Sequence, residues 1–372
     1  MNKINDLISK KANTFAKVEQ TWFSNLFGFH EINLDLGVNT DRVRAQVTCS
    51  ENKLFCPNQR VYHIGKFTLP SVQELRENMN LYRVHNSNTS ITFENICADV
   101  KDLHLDPSNA DAIFQVASQF NCLEMVGPYV SPEEGIERYA ADRTQGPICA
   151  MACAAGTFYR NYLVPLPNQC TPGQSEFAQV NTMRDIEMLL NNDENGYWVM
   201  KNGYLLPVDE TSLERLTVML AGRREEFLSA LRVGVQDDTQ VTSSSTGHRV
   251  SQVFSSAVPI AYDKITPPIS STGVSREESW RSLAELVLEA TYEACIAVAA
   301  LKAMEYRAAG GSQSSRRVTC YLTKVGGGVF RNRDSWIRSA IERALRIHHS
   351  MPVDVKLVHY GTIQSEYVGL AA

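Results

Sequence analysis

KVGGGVFRNRDSW, residues 324–336, is the stretch on which the reading of this chain turns. Three glycines follow the β-type run Val318-Thr319-Cys320-Tyr321-Leu322-Thr323, and a helical stretch starts near Trp336. A strand, a bare-backbone turn and a helix together suit an anion. Without side chains the backbone comes close to a ligand, and several N–H groups can converge on a phosphate. The spacing is neither the GxxxxGK[ST] of a Walker loop nor the GxGxxG of a dinucleotide fold. A triple glycine alone also serves as a tight turn with positive φ. Lys324, Arg331 and Arg333 add positive charge to the loop, and Phe330 offers a ring that could pack on a sugar.

Outward from this loop, residues 275–309 read as the clearest helix. Apolar positions 280, 283, 287, 291, 295, 298 and 301 form one stripe, and Ser275 with Glu278 forms a capping box. Helix 335–347 and strand 353–361 close the chain. Upstream, 93–100 and 111–118 read as strands, 135–163 as helix, turn and buried helix, and 182–192 as helix. Residues 197–206 read as a hairpin turning on Asn202-Gly203. A helix over 211–230 precedes β-rich stretches at 231–235 and 248–262, with DDTQVTSSSTG as the flexible loop between them. Residues 1–30 read as helical through Val18, Trp22, Phe23, Leu26 and Phe27. Residues 41–65 alternate as β, and 70–79 reads as a helix with proline in its first turn. Strands alternating with helices predict an α/β fold with a mixed central sheet between helix layers. The predicted organisation is an N-terminal elaboration over 1–89 and a domain over 90–372 that carries a large insertion at 165–270.

The chain has 372 residues, 44% of them hydrophobic, enough for a sizeable core. With 36 basic and 41 acidic residues its net charge is −5, which argues against a general nucleic-acid coat or a polybasic membrane anchor. Nine cysteines stand at 49, 56, 97, 122, 149, 153, 170, 295 and 320, with no CxxC pair and no zinc-ligand spacing. They are expected to be buried and reduced. MNKINDLISKKANTF lacks the apolar core of a secretory signal, and no stretch reaches a membrane-spanning length. The expectation is a monomeric, cytoplasmic protein that uses neither a metal nor a cofactor.

The strand-loop-helix-strand order of KVGGGVFRN, SWIRSAIERAL and VDVKLVHY resembles the second phosphate loop of macrodomains, the ADP-ribose-binding fold, and of their poly(ADP-ribose) glycohydrolase-like relatives. ICADV followed by DAIFQVASQFN resembles the family's first two ligand-binding segments. The resemblance covers about residues 90–125 and 275–361. It implies a three-layer α/β/α macrodomain-like fold, with Asp99 on the adenine amino group and Val100 against the ring. It further implies that Gln119 and Asn121, with Gln115 and Ser118, lie near the distal ribose, and that Gly326, Gly327, Gly328, Val329, Phe330 and Asn332 surround the diphosphate. The family's paired asparagines become Gln115 and Ser118, and its glycine-rich first loop is replaced by CLEMVGPYVSPEEGIERYAADRTQGP. ASQFNCLEM, DRTQGP and GGGVFRN…W are also similar to the narrower group of MavL-type macrodomain effectors, which remove ADP-ribose from modified ubiquitin. That similarity implies an ADP-ribosylated protein as partner, with an arginine of ubiquitin as the specific expectation, and a host cytosol as the location if the chain is a secreted effector.

Removing ADP-ribose breaks a bond at C1″ of the distal ribose through an oxocarbenium-like state, chemistry that needs a carboxylate. Asp334, just past the glycines, is the first candidate, although Asp at a helix start is also an ordinary first-turn residue. Glu124 is second, with a surface charge as its plain alternative. Asp142 is third, where it could instead end a helix beside Arg143. Thr144 and Gln145 could donate to a ribose hydroxyl or simply form a turn. Three functions compete: an ADP-ribosyl hydrolase, which the length of the extra segments favours, a non-catalytic reader of ADP-ribosylated proteins, and an enzyme acting on another nucleotide diphosphate.

Overall fold

A computed structural model of the chain describes residues 21–33, 37–82, 89–167, 169–310 and 316–370. Seven strands form the central sheet: β1 (Lys66–Thr68), β2 (Thr92–Cys97), β3 (Ile113–Ala117), β4 (Gly234–Gln240), β5 (Arg249–Ser255), β6 (Val318–Leu322) and β7 (Val353–His359). Their order across the sheet is β1-β4-β5-β3-β6-β7-β2. Strand β4 runs antiparallel to both its neighbours, while β5, β3, β6, β7 and β2 are mutually parallel. The mixed sheet expected from the alternation of elements is therefore present.

Five helices are central to the packing: α1 (Val72–Leu81), α2 (Val100–Leu105), α3 (Gln145–Ala152), α4 (Arg276–Ala309) and α5 (Asp334–Ile347). Successive residues of a strand face opposite sides of its sheet, and β3 feeds both layers. Ile113 joins the core shared with α4 and α5, whereas Phe114 and Val116 join the core shared with α2 and α3. That double burial explains why β3 is apolar almost throughout. Helix α4 is the spine of one layer. It is buried well beyond its predicted stripe, with Ala284, Leu286, Leu288 and Ala297 also enclosed, because α1 and α5 cover the sides that the sheet leaves open. A third core joins Phe23 and Phe27 of the N-terminal segment to Leu123, Met125, Phe158 and Tyr162. Glu31 is sealed into it, and its carboxylate accepts the backbone N–H groups of Ile136 and Glu137 and the Tyr162 hydroxyl.

The decisive irregularity lies between β3 and β6. Both strands pair over their length with their outer neighbours, but with each other only at Cys320–Ile113 and Tyr321–Phe114. Beyond those residues they splay, and the backbone groups freed by the split are taken up by two glutamines. Gln115 Oε1 accepts from the Thr323 N–H at 3.1 Å. Gln145, in the first turn of α3, accepts the Ala117 N–H through Oε1 at 2.8 Å and donates Nε2 to the Gln115 carbonyl at 2.8 Å. The adjacent Gly146 permits this approach, because a Cβ there would sit 2.0 Å from the Ala117 carbonyl oxygen.

Several expectations shift. Residues 40–45 are helical, so β structure in the 41–65 region is confined to three short strands from residue 48 onward. Ser71 caps α1 in a full capping box with Glu74, which leaves Pro70 outside the helix. Strand β2 stops at Cys97, and Val100 opens α2. The helix expected over 211–230 breaks at Gly222, whose φ is +78°. Residues 237–240 belong to β4 rather than to a loop. At α4, Ser275 accepts from the Glu278 N–H, while the Glu278 side chain turns to Arg281 and Arg333 instead of closing the box. Cys49, Cys97 and Cys170 are exposed and the other six cysteines are buried, all of them free. Val18 lies outside the described residues. The expected segment boundaries cut through the sheet, since β1 comes from residues before 90 and β4 and β5 from within 165–270.

Replacing Gln145 by leucine strands the Ala117 N–H at the end of a buried strand. The expected cost is about 1–3 kcal/mol, read as a lower midpoint in urea unfolding. An unchanged midpoint would show that the split between β3 and β6 does not depend on this side chain.

Candidate functional site

A cleft runs across the carboxyl ends of the parallel strands, above the split. It consists of two contiguous cavities that share Asp142, Gln145, Thr323, Lys324 and Gly328. The crevice outside the carboxyl ends of strands is where open α/β sheets place ligands.

The glycine loop forms the cleft's middle. Tyr292 of α4 steadies its entry, donating to the Thr323 carbonyl at 2.7 Å and accepting the Val325 N–H at 3.0 Å. Gly326 has φ +76°, and a Cβ on it would lie 2.4 Å from Ala257 Cβ, so both conformation and space exclude a side chain. Asn332 closes the loop. Its N–H reaches the Gly326 carbonyl at 2.9 Å and its Nδ2 reaches the Val258 carbonyl at 2.8 Å. Gly328, Val329 and Phe330 line the first cavity, and none of their backbone N–H groups has an acceptor among the described residues. Three successive free amides on a cavity wall are the elements of an anion nest. Lys324, which donates to Gln364, is a cation on the wall of both cavities. Partial burial lowers its ammonium from the ordinary range, with Asp334 and Glu366 opposing that shift.

Glu124 lines the first cavity on the side opposite β6. The residue is 2% exposed, and among the described residues neither carboxyl oxygen makes a hydrogen bond of good geometry, the Tyr139 hydroxyl being a nearby donor with a favourable effect on the carboxylate. Burial pushes its carboxyl up to about 8, although the buried Arg160 guanidinium pulls the other way. The turn that carries it is held from several directions. Arg160 donates Nε to the Cys122 carbonyl, the Tyr139 hydroxyl accepts the Glu124 N–H at 3.0 Å, and Asn121 Oδ1 accepts the Leu123 N–H at 3.0 Å. Asp142 is half-buried between the cavities, and its carboxylate accepts the Thr144 N–H at 2.8 Å.

The structure brings most of the expected residues together. Gln119, Glu124, Asp142, Thr144, Gln145, Gly326, Gly328, Val329 and Phe330 line the first cavity. Gln119 Oε1 is buried and unpartnered. Asp99, Val100 and Gly327 line the second, together with Tyr321, Val358 and Tyr360. Asp99 caps α2, accepting the Lys101 N–H at 2.8 Å. Three expected residues are engaged elsewhere. Asn121 is fully buried, spent on Leu123 and Gln179. Asn332 is the clamp of the glycine loop. Asp334 lines neither cavity. It starts α5, and its Oδ1 accepts from the Tyr367 hydroxyl at 2.7 Å.

Two residues not anticipated in the sequence complete the first cavity. Tyr204 and Tyr262 pack with Phe330 as an aromatic trio, with ring centroids 4.9–5.7 Å apart. Nothing local announces them, since they come from the hairpin and from the segment after β5.

No family model and no curated protein matches the chain. Among solved structures it is similar to the poly(ADP-ribose) glycohydrolase of Thermomonospora curvata, at 12% identity and a TM-score of 0.35, over 88% of this chain and 93% of that one. A structure of the T. curvata glycohydrolase bound to the inhibitor ADP-HPD gives 12% identity and a TM-score of 0.32, over 88% and 92%.

The burial of Glu124 makes fold stability depend on pH. A carboxyl at about 8 in the fold keeps its proton where the unfolded chain, at its ordinary value of 4.5, has lost it. Its contribution is therefore greatest at acid pH and declines as pH rises from 4.5 to about 8, by roughly 4 kcal/mol. Glu124→Gln removes this titration. The variant should lose less stability than the wild type between about pH 5 and pH 9 in urea unfolding. Identical losses would show that Glu124 ionises freely in the fold.

Proposed function

We propose that this chain is an ADP-ribosyl hydrolase that releases ADP-ribose from a modified protein, with Glu124 as its acid. The observation that carries this reading is the pairing, in one cavity, of a buried carboxyl with three consecutive backbone amides that have no acceptor among the described residues. The amides suit a diphosphate. The carboxyl, raised to about 8, holds a proton at neutral pH and so can give it away. The second cavity, with Asp99, Val100 and aromatic Tyr321 and Tyr360, suits a purine at the far end of the same ligand.

In this reading the bond between C1″ and the acceptor atom breaks with its electron pair leaving on the acceptor, which takes the Glu124 proton. Positive charge spreads over C1″ and the ring oxygen, where Asp142 and the substrate's own diphosphate offset it. Water then attacks C1″, a C–O bond forms, and the proton that water sheds returns to the Glu124 carboxylate. Gln119 and the aromatic trio position the distal ribose, and no metal enters the scheme. Asp334 serves α5 and Tyr367 rather than the reaction. The finer form of this reading, removal from an ADP-ribosylated arginine of ubiquitin, is supported by the sequence resemblance in ASQFNCLEM, DRTQGP and GGGVFRN…W.

Calorimetric titration of ADP-ribose into wild type and Gly328→Glu, followed by turnover of a mono-ADP-ribosylated protein, tests the reading. Binding should be present in wild type and lost in Gly328→Glu. Release of ADP-ribose should fall about 10²–10⁴-fold in Glu124→Gln, with binding retained. Binding without release from any modified protein would make the chain a reader, and preferential binding of UDP-sugars would assign it to another nucleotide diphosphate.

A further inference from the structure

The first cavity opens at its acid end onto a rim built from four segments, and these segments are fastened to one another. Tyr262 donates its hydroxyl to the Val126 carbonyl at 3.4 Å, and the Ala261 N–H reaches the Phe330 carbonyl at 3.3 Å. The hairpin tip is fastened to the first segment by Asn202, whose Nδ2 donates to the Pro128 carbonyl at 2.8 Å and whose Oδ1 accepts from Gln179. The rim is thus a fixed surface, continuous with the cavity that holds Glu124.

Its composition is both apolar and basic. Val126, Tyr129 and Val329 are 51%, 79% and 56% exposed, an apolar set on a surface where isolated apolar residues are the norm. Lys201, Lys264 and Arg331 are exposed around it, and none makes an ion pair among the described residues. Lys201 rests over the Tyr129 ring at 4.4 Å, a cation–π contact that ties the charged and apolar parts of the rim together. Most arginines elsewhere in the described chain are paired with carboxylates, and the chain as a whole is acidic at −5. Three cations without an ion pair among the described residues, interleaved with apolar side chains, are thus available to a partner on the segments that border the acid.

We infer that this rim is the docking surface for an acidic stretch of the protein that carries the ADP-ribose. The inference rests on the hydrolase reading, which fixes where the acceptor must emerge: with C1″ at Glu124, the attached polypeptide leaves the cavity across Val126, Tyr129 and Val329. Carboxylates flanking the modified residue would meet Lys201, Lys264 and Arg331, and apolar side chains between them would cover Tyr129. Such complementarity sets encounter rate and partner choice more than the chemistry itself.

The test compares three substrates: an ADP-ribosylated peptide with acidic flanks, the same peptide with basic flanks, and a peptide-free ADP-ribose conjugate. The acidic peptide should exceed the basic one in kcat/KM by about tenfold or more at low salt, with the ratio shrinking as salt is added. The double variant K201E/K264E should erase or invert that ratio and leave turnover of the peptide-free conjugate unchanged. Equal turnover of the two peptides, or an unaltered ratio in the variant, overturns the docking proposal while the hydrolase reading stands. An ADP-ribosylated oligonucleotide turned over faster than the acidic peptide also overturns it, assigning the cations to a nucleic acid. Failure to hydrolyse even the peptide-free conjugate removes the hydrolase reading and the docking proposal with it.

Discussion

Everything in the cleft depends on two strands that stop pairing. If β3 and β6 continued as neighbours beyond Phe114 and Tyr321, the space between Ala117 and Thr323 would be filled with ladder hydrogen bonds, and neither cavity could form. Opening a sheet leaves buried backbone groups that must be satisfied. Gln115 and Gln145 do this from the side, one from β3 itself and one from α3. The same two residues therefore fix the spacing between the turn bearing Glu124 and the loop bearing the glycines. Gly146 lets α3 close on the strand end, and Asn332 prevents the glycine loop from collapsing into the opening.

If Glu124 is the acid, as proposed, its site carries a conflict between fold and function. A buried carboxyl enclosed by Met125, Tyr139 and the end of β3 is costly to ionise, and the buried Arg160 and the Tyr139 hydroxyl only partly offset that. Two of the Arg160 bonds go to the Cys122 carbonyl and to Thr157, and its guanidinium lies 3.6 Å over the Phe254 ring. It therefore stiffens the turn without neutralising the acid. Groups strained in this way are characteristic of sites where a proton must be held and then released. Glu31, also raised by burial to about 7, sits one layer further out and anchors residues 136 and 137 ahead of Tyr139 and Asp142. In this way the N-terminal segment acts on the cleft without touching it.

Legibility in the sequence tracks the range of the interactions. The glycine loop, the Ser275 cap, the hairpin at Asn202-Gly203 and the long helix α4 are readable because each is set by neighbours within a few residues. The mixed α/β class is readable for the same reason, since it sums local periodicities. The surroundings of the three carboxylates are not. Asp334 stands closest to the glycines in sequence, yet Tyr367, 33 residues away, takes its side chain. Glu124 reads as a surface charge because its burial comes from Tyr139, Gly146 and Arg160, which are distant in the chain. The same applies to Gln145 and Asn121, polar residues expected at the ligand. Gln145 does line the cleft but spends its amide on β3, while Asn121 is withdrawn into the protein. Residues 40–45 become a helix through a cap at Asn39 whose side chain accepts from Arg42, a local signal masked by the alternating pattern around it.

The most direct measurement is the pH dependence of kcat/KM for release of ADP-ribose by the wild type and by Glu124→Gln. If Glu124 delivers the proton, activity should hold through neutrality and fall on the alkaline side with a limb near 8, and that limb should be missing from the residual activity of the variant. A wild-type profile with no alkaline limb, or an identical limb in Glu124→Gln, would contradict the assignment of the acid and the role given to the cleft's buried wall.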